Sequence, residues 1–255
     1  MTRALAIVAH PDDIEFLMAG TLLHLAAAGV EIHYWNLADG CCGSTEHDAA
    51  TVAAIRLAEA QSAANFLGAT FHPPICHDFA IYYERSLVAK VASVVRKVAP
   101  EIVLAHSPVD YMEDHTNACR LAVSAAFARC MPNYRVDPPA KAVMAPIAVY
   151  HAQPYSHRDP LGRVVLPEFC VDVSAVIERK IDALSRHASQ KEWLDQSQGQ
   201  DSYLETLRGL DAECGLMSRK FAYAEGWRRH WHLGFGPAQF DPLRQILPAS
   251  LIAKM

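Results

Sequence analysis

The sequence lacks both an excess of positive charge and any long hydrophobic run. Its 255 residues contain 23 Lys and Arg against 28 Asp and Glu, for a formal net charge of −5. Because nucleic acids and anionic membranes are bound by clustered Lys and Arg side chains, we expect neither as a partner. No stretch approaches the roughly 20 apolar residues of a membrane span, and the apolar start runs directly into His10 and Pro11, unlike a signal peptide. We therefore predict a cytoplasmic protein.

The sequence also lacks two motifs that would assign a function directly. No Gly-x-Gly-x-x-Gly follows the first apolar run, and the segment there is acidic and would repel a pyrophosphate, which disfavours a dinucleotide-binding protein. The seven cysteines include no Cys-x-x-Cys pair, so we predict reduced thiols and neither a zinc ribbon nor a redox couple. The adjacent Cys41 and Cys42 could be reactive, but small apolar residues often follow a buried strand, and we favour a structural role.

Apolar runs alternate with helical segments through the first half of the chain. We predict strands at 4–9, 31–37, 70–75 and 101–105, and helices at 15–29, 49–67, 86–98 and 115–129. Such alternation is typical of βαβ units and a parallel sheet. The predicted fold class is therefore α/β, with a Rossmann-like, doubly wound, mostly parallel sheet that carries helices on both faces.

Beyond residue 131 the spacing of the elements changes. A proline-rich connection leads to predicted strands at 147–150 and 169–173, followed by helices at 174–196 and 201–224. We see no repeat, low-complexity tract or linker that would separate two domains. We predict a single domain over 1–255, with an α/β core at 1–131 and, at 132–255, a carboxy-terminal strand and helix extension that forms a rim.

Histidine is abundant, with 13 residues, and it is both the commonest metal ligand and the usual general acid or base. Ligands of open parallel sheets bind outside the carboxyl ends of the strands. His10, Asp12 and Asp13 follow the first predicted strand, and His115 follows the strand at 101–105. His10, Asp13 and His115 could supply the three protein ligands of a catalytic zinc, which leaves a position open for water. Asp12 would then take a proton from that water.

Each of these residues also has a simpler interpretation. Asp favours the first turn of a helix, where it caps free N–H groups, although capping requires only one of Asp12 and Asp13. A single histidine is more often a hydrogen-bonded polar group than a metal ligand. The combination of two histidines with an Asp-Asp pair at the ends of parallel strands favours the metal site.

The motifs that carry a family resemblance lie in the first half of the chain. They are Ala9-His10-Pro11-Asp12-Asp13-Ile14-Glu15, Gly20-Thr21-Leu22, Arg56-Leu57-Ala58-Glu59, Leu67-Gly68-Ala69 and Asp114-His115. With them the sequence resembles the PIG-L/LmbE-like family of zinc-dependent N-deacetylases. The resemblance implies that Zn²⁺ is bound by the set His10, Asp13 and His115 and that Asp12 is the general base. It also implies removal of an acyl group, usually acetyl, from the 2-amino group of a glucosamine-containing small molecule, and it makes a homo-oligomer plausible.

The resemblance further implies substrate contacts. Arg56 and Asp78 match positions that look like the family's contacts to sugar hydroxyls, although Arg56 could instead be an exposed helix residue paired with Glu59. Many members carry a histidine three residues before the last zinc ligand, where this chain has Met112, and methionine cannot donate to an oxyanion or protonate an amine. The candidates for that role are Tyr111, Asp114, His151, His230 and His232. Tyr111 and Asp114 are also predicted to bind the substrate.

Two functional alternatives follow from the same residues. The motifs do not specify the released amine, so the chain could be a zinc amidohydrolase that acts on a non-sugar N-acyl substrate. Met112 suggests the other alternative, a metal-bearing sugar-binding protein with weak catalysis. The aromatic and basic segment 227–232 either closes over the substrate or packs over the sheet edge.

Overall fold

One mixed sheet forms the centre of the protein. The structure, a computed structural model, describes residues 1–191 and 203–255. Within these ranges the strands of the sheet are β1 (Arg3–Val8), β2 (Glu31–Asn36), β3 (Thr70–His72), β4 (Ile102–Ala105), β5 (Ala148–Ala152), β6 (Phe169–Asp172), β7 (Ala224–Arg229) and β8 (Ile252–Lys254). Their order across the sheet is β3-β2-β1-β4-β5-β7-β6-β8.

The strands β1 to β5 are parallel to one another, as predicted. The chain builds β2 and β3 on one side of β1 and then returns to add β4 on its other side. This reversal creates a topological switch point between β1 and β4, where the loops that follow the two strands leave a crevice. The predicted α/β fold with a doubly wound, mostly parallel sheet is confirmed.

The helices lie between and after these strands. Their bounds are α1 (Asp13–Leu17), α2 (Ala19–Ala27), α3 (Ala49–Phe66), α4 (Arg85–Val98), α5 (Glu113–Ala128), α6 (Ile177–Leu184), α7 (Tyr203–Ser218) and α8 (Pro242–Ile246). The predicted helix at 174–196 is interrupted, because α6 ends at Leu184 and helical backbone resumes only at 188–191. The parts of the predicted helices 174–196 and 201–224 that fall at 192–202 lie outside the described residues.

The first predicted helix, at 15–29, is divided into α1 and α2. Met18 separates them with a φ of −150° and a ψ of −1°. The carboxylate of Glu225 accepts hydrogen bonds from the backbone N–H groups of Gly20, at 2.8 Å, and Thr21, at 2.7 Å. A carboxylate at this position satisfies free donors in the first turn of α2 and complements the helix dipole. A residue more than 200 positions away therefore stabilises the start of the second helix.

The strand β7 corrects the prediction for the carboxy-terminal region. The helix predicted at 201–224 ends at Ser218, and residues from Ala224 onward form a strand that pairs antiparallel with both β5 and β6. Trp227 is fully buried, and its Nε1 donates to Thr21 Oγ1 at 3.0 Å. Trp227, the first tryptophan of the 227–232 segment, therefore packs in the protein interior. The carboxy-terminal region, predicted to form a rim, instead adds strands to the central sheet.

Two hydrophobic cores cover the two faces of the sheet. Alternate residues of β1 and its continuation enter opposite cores, so that Ala4 and Ala6 face α2 and α3, whereas Leu5 and Ile7 face α4 and α5. All four side chains are fully buried. Burial on both faces explains why the first strand is a continuous apolar run without polar alternation.

The cysteines of the chain are all free thiols. This agrees with the expectation of reduced cysteines. No helix within 1–191 or 203–255 combines the length and apolar character needed to cross a membrane.

Candidate metal centre and cavity

The switch point between β1 and β4 brings the predicted ligands together. His10 and Asp13 follow β1, and His115 lies in the first turn of α5, which follows β4. One possible ligand atom from each of the three lies within 4.8 Å of the others, and all three residues are buried. The spatial convergence predicted from the sequence is therefore present.

Two carboxylates orient the histidines of this set. His10 Nε2 lies 3.0 Å from Asp114 Oδ2, and His115 Nδ1 lies 3.0 Å from Asp110 Oδ1. The remaining nitrogens therefore face Asp13, with His10 Nδ1 3.6 Å from Oδ2 and His115 Nε2 3.3 Å from Oδ1. Carboxylates that bind the outer nitrogen of a ligating histidine fix its ring and its tautomer. Two imidazoles and a carboxylate, oriented in this way, fit the donor set of a catalytic zinc site.

The charges of this set also favour a cation. Burial lowers the pKa of His10, but its hydrogen bonds to Asp114 and Asp13 more than compensate and raise that pKa to about 9. Burial also lowers the pKa of His115, but the carboxylates of Asp13 and Asp110 outweigh this effect and raise that pKa to about 10. The pKa of Asp13 is lowered well below its usual value, although burial acts against this, because His115 and His106 lie beside it. The carboxylates thus draw positive charge into the centre, and a bound metal would take the place of the imidazole protons.

His106 is a member of this centre that the sequence analysis did not assign. Its ring is fully buried and stacks on His115 with centroids 4.1 Å apart and planes 10° apart. His106 Nε2 lies 3.1 Å from Asp13 Oδ2 and 3.0 Å from the backbone nitrogen of Ala9. It therefore adds a third imidazole beside the Asp13 carboxylate and packs against the ring of His115. The signal for it was its position directly after β4, the same signal that identified His10.

Asp12 and Asp13 make different contacts, in agreement with the proposed division of roles. The Asp12 backbone is left-handed, with a φ of 102°, and its side chain caps no N–H group of α1. Asp13 Oδ2 instead accepts a hydrogen bond from the backbone N–H of His10 at 2.7 Å. Helix capping therefore does not account for this pair of acids in the structure.

Tyr203 and Arg56 surround the Asp12 carboxylate. The Tyr203 hydroxyl donates to Asp12 Oδ2 at 2.6 Å, and Arg56 Nη2 lies 3.5 Å from the same oxygen. Burial raises the pKa of Asp12, Arg56 acts against that rise, and Asp13 adds to it. A carboxylate whose pKa is raised towards neutrality is a more effective general base than an exposed one.

Tyr203→Phe is expected to move the acid limb of the pH profile. The Tyr203 hydrogen bond lowers the pKa of Asp12, so its loss raises that pKa, and the base becomes ionised only at higher pH. Loss of a hydrogen bond to a charged group corresponds to roughly a tenfold lower kcat/KM on the acid limb, with little change on the alkaline side. The measurement is kcat/KM against pH, with the exposed Tyr82→Phe as a matched control. A uniform loss at every pH would contradict this positioning role.

A cavity of about 240 Å³ opens onto the centre. The described residues that line it are His10, Asp12, Asp13, Phe16, Leu17, Cys42, Gly43, Arg56, Asp78, Phe79, Tyr111, Met112, His115, Tyr155 and Gln190. Three of the four predicted substrate-binding residues are in this set, namely Arg56, Asp78 and Tyr111. Asp114 is not, because it lies behind His10, where Oδ2 also accepts the backbone N–H of Phe79 at 2.7 Å. Sequence reasoning missed the other aromatic residues of the lining, Phe16, Phe79 and Tyr155, which have no local signature.

Comparison with known proteins assigns the family of this fold and site. The model of the PIG-L family, described as GlcNAc-PI de-N-acetylase, matches residues 5–127. The 4-oxalmesaconate hydratase of Pseudomonas putida is 30% identical over 234 residues, which are 88% of this chain and 87% of that protein. The chain belongs to the PIG-L family. The family predicted from the sequence motifs is confirmed.

Two deacetylases are also similar to this PIG-L chain. The diacetylchitobiose deacetylase of Thermococcus kodakarensis is 29% identical over 201 residues, which cover 74% of this chain and 70% of that protein. The structure of the N,N'-diacetylchitobiose deacetylase of Pyrococcus horikoshii superposes with a TM-score of 0.74 at 25% identity, covering 95% of this chain and 88% of that one. The chain is therefore an enzyme of the PIG-L family, and its relatives include deacetylases and a hydratase.

The PIG-L motif residue Arg56 is not the exposed helix residue of the simpler interpretation. Its side chain is buried, and Nη2 donates to the carbonyl oxygen of Pro11. Glu59, the alternative partner, instead accepts hydrogen bonds from the backbone nitrogen and hydroxyl of Ser189 at 2.9 and 2.7 Å. Arg56 therefore ties α3 to the loop that carries Asp12.

Met112, the departure from the PIG-L pattern, lies on the cavity wall beside Tyr111. The Tyr111 ring meets His115 edge-on at 5.8 Å, and burial raises the pKa of its hydroxyl, which remains a proton donor at neutral pH. The other four candidates for the role of the missing histidine do not line the described cavity. His151 instead has Nδ1 2.9 Å from the His106 carbonyl oxygen and Nε2 2.8 Å from His230 Nδ1. Tyr111 is the candidate that the geometry favours.

Proposed function

We propose that the chain is a zinc-dependent hydrolase that removes the N-acetyl group from an N-acetylglucosamine-containing small molecule. The observation that carries this proposal is that a set of possible metal ligands and a separate carboxylate, a possible general base, line the same cavity. The set His10, Asp13 and His115 would hold the zinc ion, and the Asp12 carboxylate, outside that set, opens onto the same space. When bound, zinc supplies Lewis acidity, which lowers the pKa of a water molecule and polarises a carbonyl group.

The residues of the chain would divide the proton transfers. Asp12 accepts the proton of the water molecule that adds to the amide carbonyl carbon, and Tyr203 and Arg56 hold its carboxylate in place. The Tyr111 hydroxyl donates a hydrogen bond to the oxygen on which negative charge develops. As the C–N bond breaks, the proton held by Asp12 passes to the leaving amine, and acetate is the second product.

The cavity wall supports a neutral, ring-shaped substrate. Phe79, Tyr111 and Tyr155 supply apolar faces, and Asp78 and Gln190 supply polar atoms among them. Cavities that bind small molecules combine such apolar surfaces with a few polar groups that orient the ligand. The deacetylases similar to this chain are named for diacetylchitobiose, an N-acetylated sugar, which agrees with this composition.

The similarity to 4-oxalmesaconate hydratase supports a second candidate function, the addition of water to an unsaturated carboxylate. The cavity argues against it. Among the described residues that line the cavity, Arg56 is the only Lys or Arg, and its guanidinium already contacts Pro11 and Asp12. Asp12, Asp13 and Asp78 add negative charge. A bound zinc ion and Arg56 would together bring three positive charges, which these three carboxylates balance. A polycarboxylate would therefore meet no excess of positive charge, and the N-acyl sugar is the better match.

Metal removal tests the proposed reaction. Dialysis against a chelator is expected to lower acetate release from N-acetylglucosamine conjugates by roughly 10²-fold or more, and one equivalent of zinc restores it. The measurements are zinc content, acetate release from a panel that also contains non-sugar N-acyl amides, and loss of the conjugated double bond of 4-oxalmesaconate by ultraviolet absorbance. Release from the amides alone would favour the non-sugar amidohydrolase, and turnover of 4-oxalmesaconate alone would favour the hydratase. Bound zinc with sugar binding and no turnover would identify a binding protein.

A further inference from the structure

A second group of metal-ligating side chains lies beside the cavity, where the loop after β2 meets the loop after β3. Asp39, Cys41 and His77 each offer a ligand atom within 4.8 Å of the other two. The two loops run side by side, because Ala38 and Cys76 form a parallel bridge that continues the strand pairing. None of the three ligand residues lines the catalytic cavity or has a part in the proposed hydrolysis.

The local structure holds these side chains in position. The Asp78 carboxylate accepts the backbone N–H groups of Gly40 at 2.8 Å and Cys42 at 2.9 Å, which fixes the backbone on both sides of Cys41. Gly40 has a φ of +76°, and a Cβ atom there would meet the Arg56 side chain at 2.6 Å. The loop is therefore pressed against a buried arginine, and the ligand set is placed before any ion arrives.

The donors of this group differ from those of the first centre. They are a thiol, an imidazole and a carboxylate, whereas the set His10, Asp13 and His115 contains no sulfur. Thiol and imidazole ligands together favour zinc and softer divalent ions over magnesium or calcium. His77 Nδ1 lies 2.6 Å from Asp39 Oδ2, a hydrogen-bond distance, and a cation bound by both would replace the proton of that hydrogen bond. His77 is also exposed over about three quarters of its side chain, so that the site is open to solvent.

We propose that Asp39, Cys41 and His77 form a second metal site, for a thiophilic divalent cation such as Zn²⁺ or Cd²⁺. A neighbouring group, Cys41, Cys42 and Asp78, also has its ligand atoms within 4.8 Å. The first group is preferred because both oxygens of Asp78 already accept backbone N–H groups, whereas a cation would replace a single proton between Asp39 and His77. Cys41 Sγ belongs to both groups and is the ligand on which the site depends.

Cadmium titration tests this site without reference to activity. The probe is Cd²⁺ added to full-length protein that already carries one equivalent of zinc, with absorbance in the near ultraviolet as the readout. A bound thiolate gives a ligand-to-metal charge-transfer band, and the first centre has no sulfur ligand to produce one. We expect a band that saturates at one equivalent of Cd²⁺ per chain. Failure of the proposed hydrolysis would leave this result unchanged, because no substrate is present.

Four variants assign the ligands. Cys41→Ser is expected to abolish the band, and His77→Ala, at an exposed position, to weaken Cd²⁺ binding at least about tenfold. Cys130→Ser, which changes a thiol outside both groups, is the matched control and should bind as the unmodified chain does. A band that persists in Cys41→Ser would overturn the proposal. So would a band lost in Cys42→Ser but unchanged in His77→Ala, because the ion would then lie in the neighbouring group.

Discussion

Asp12→Asn is expected to retain zinc and to lower kcat by roughly 10²–10⁴-fold, the usual contribution of a general base. Asparagine has almost the same shape as aspartate, and its oxygen can still accept the Tyr203 hydroxyl that lies 2.6 Å from Asp12 Oδ2. It cannot take up the proton of the attacking water. Because the side chain lies outside the set His10, Asp13 and His115, the substitution should leave the metal ligands unchanged.

Zinc content and acetate release from an N-acetylglucosamine conjugate are measured on the same preparation. The matched control is Asp182→Asn, which makes the same chemical change at an exposed position of α6 and should remain fully active. Full activity of Asp12→Asn would show that another group accepts the proton. Loss of zinc together with activity would show that Asp12 acts on the metal instead. Only retained zinc with lost turnover supports the role of general base.

The parts of the site that could be predicted are those encoded next to a strand end. His10 and Asp13 lie directly after a continuous apolar strand, and His115 lies near the start of the helix that follows β4. Parallel strands place such positions at one edge, so sequence order alone brings these three residues together. The same reasoning predicted the parallel half of the sheet correctly.

Two of the contacts that orient the site could not be predicted, because each joins distant parts of the chain. Tyr203 reaches Asp12 across 191 positions, and His10 binds Asp114 across 104. Neither contact can be recognised in the sequence from hydrophobic periodicity or from the spacing of residues within a motif. Asp114 was predicted as a substrate contact and as a candidate for the role of the missing histidine, and only the folded structure shows that its carboxylate lies behind His10.

The errors in secondary structure have the same origin. The division of α1 from α2 coincides with the arrival of Glu225, and the unpredicted strand β7 exists because β5 and β6 pair with it on both sides. Local propensity does not predict a helix break at Met18, and it does not predict a β-strand at 224–229. Tertiary contacts decide both. Glu225 takes part in each of these features and also in a buried ion cluster.

Lys180→Met is expected to lower the free energy of unfolding by about 3–5 kcal/mol at pH 8, the usual cost of removing one partner from a buried ion pair. Lys180 is fully buried, and its Nζ lies 2.8 Å from both Asp211 Oδ2 and Glu225 Oε1. Methionine fills a similar volume, so packing loss is small. Two buried carboxylates would remain without a cation, and one of them is the group that caps α2.

The loss should be smaller at pH 5.5 than at pH 8. Burial raises the pKa of Asp211 from 3.8 to about 7, even with Lys180 beside it. A carboxyl group whose pKa is higher in the folded state opposes folding as pH rises through that pKa, and it ceases to do so as pH falls and the group binds a proton. Lys180 lowers the pKa of Asp211, so without the lysine that pKa rises further, and protonation of Asp211 at low pH recovers part of the lost stability.

Urea unfolding followed by circular dichroism at the two pH values measures this difference. The matched control is Lys97→Met, at an exposed position of α4, where the change should be under about 1 kcal/mol at either pH. An equal loss at pH 5.5 and pH 8 would contradict the electrostatic explanation, because a packing defect does not depend on carboxyl protonation. A loss confined to pH 8 would instead establish that the cost comes from buried, ionised carboxylates that have lost their cation.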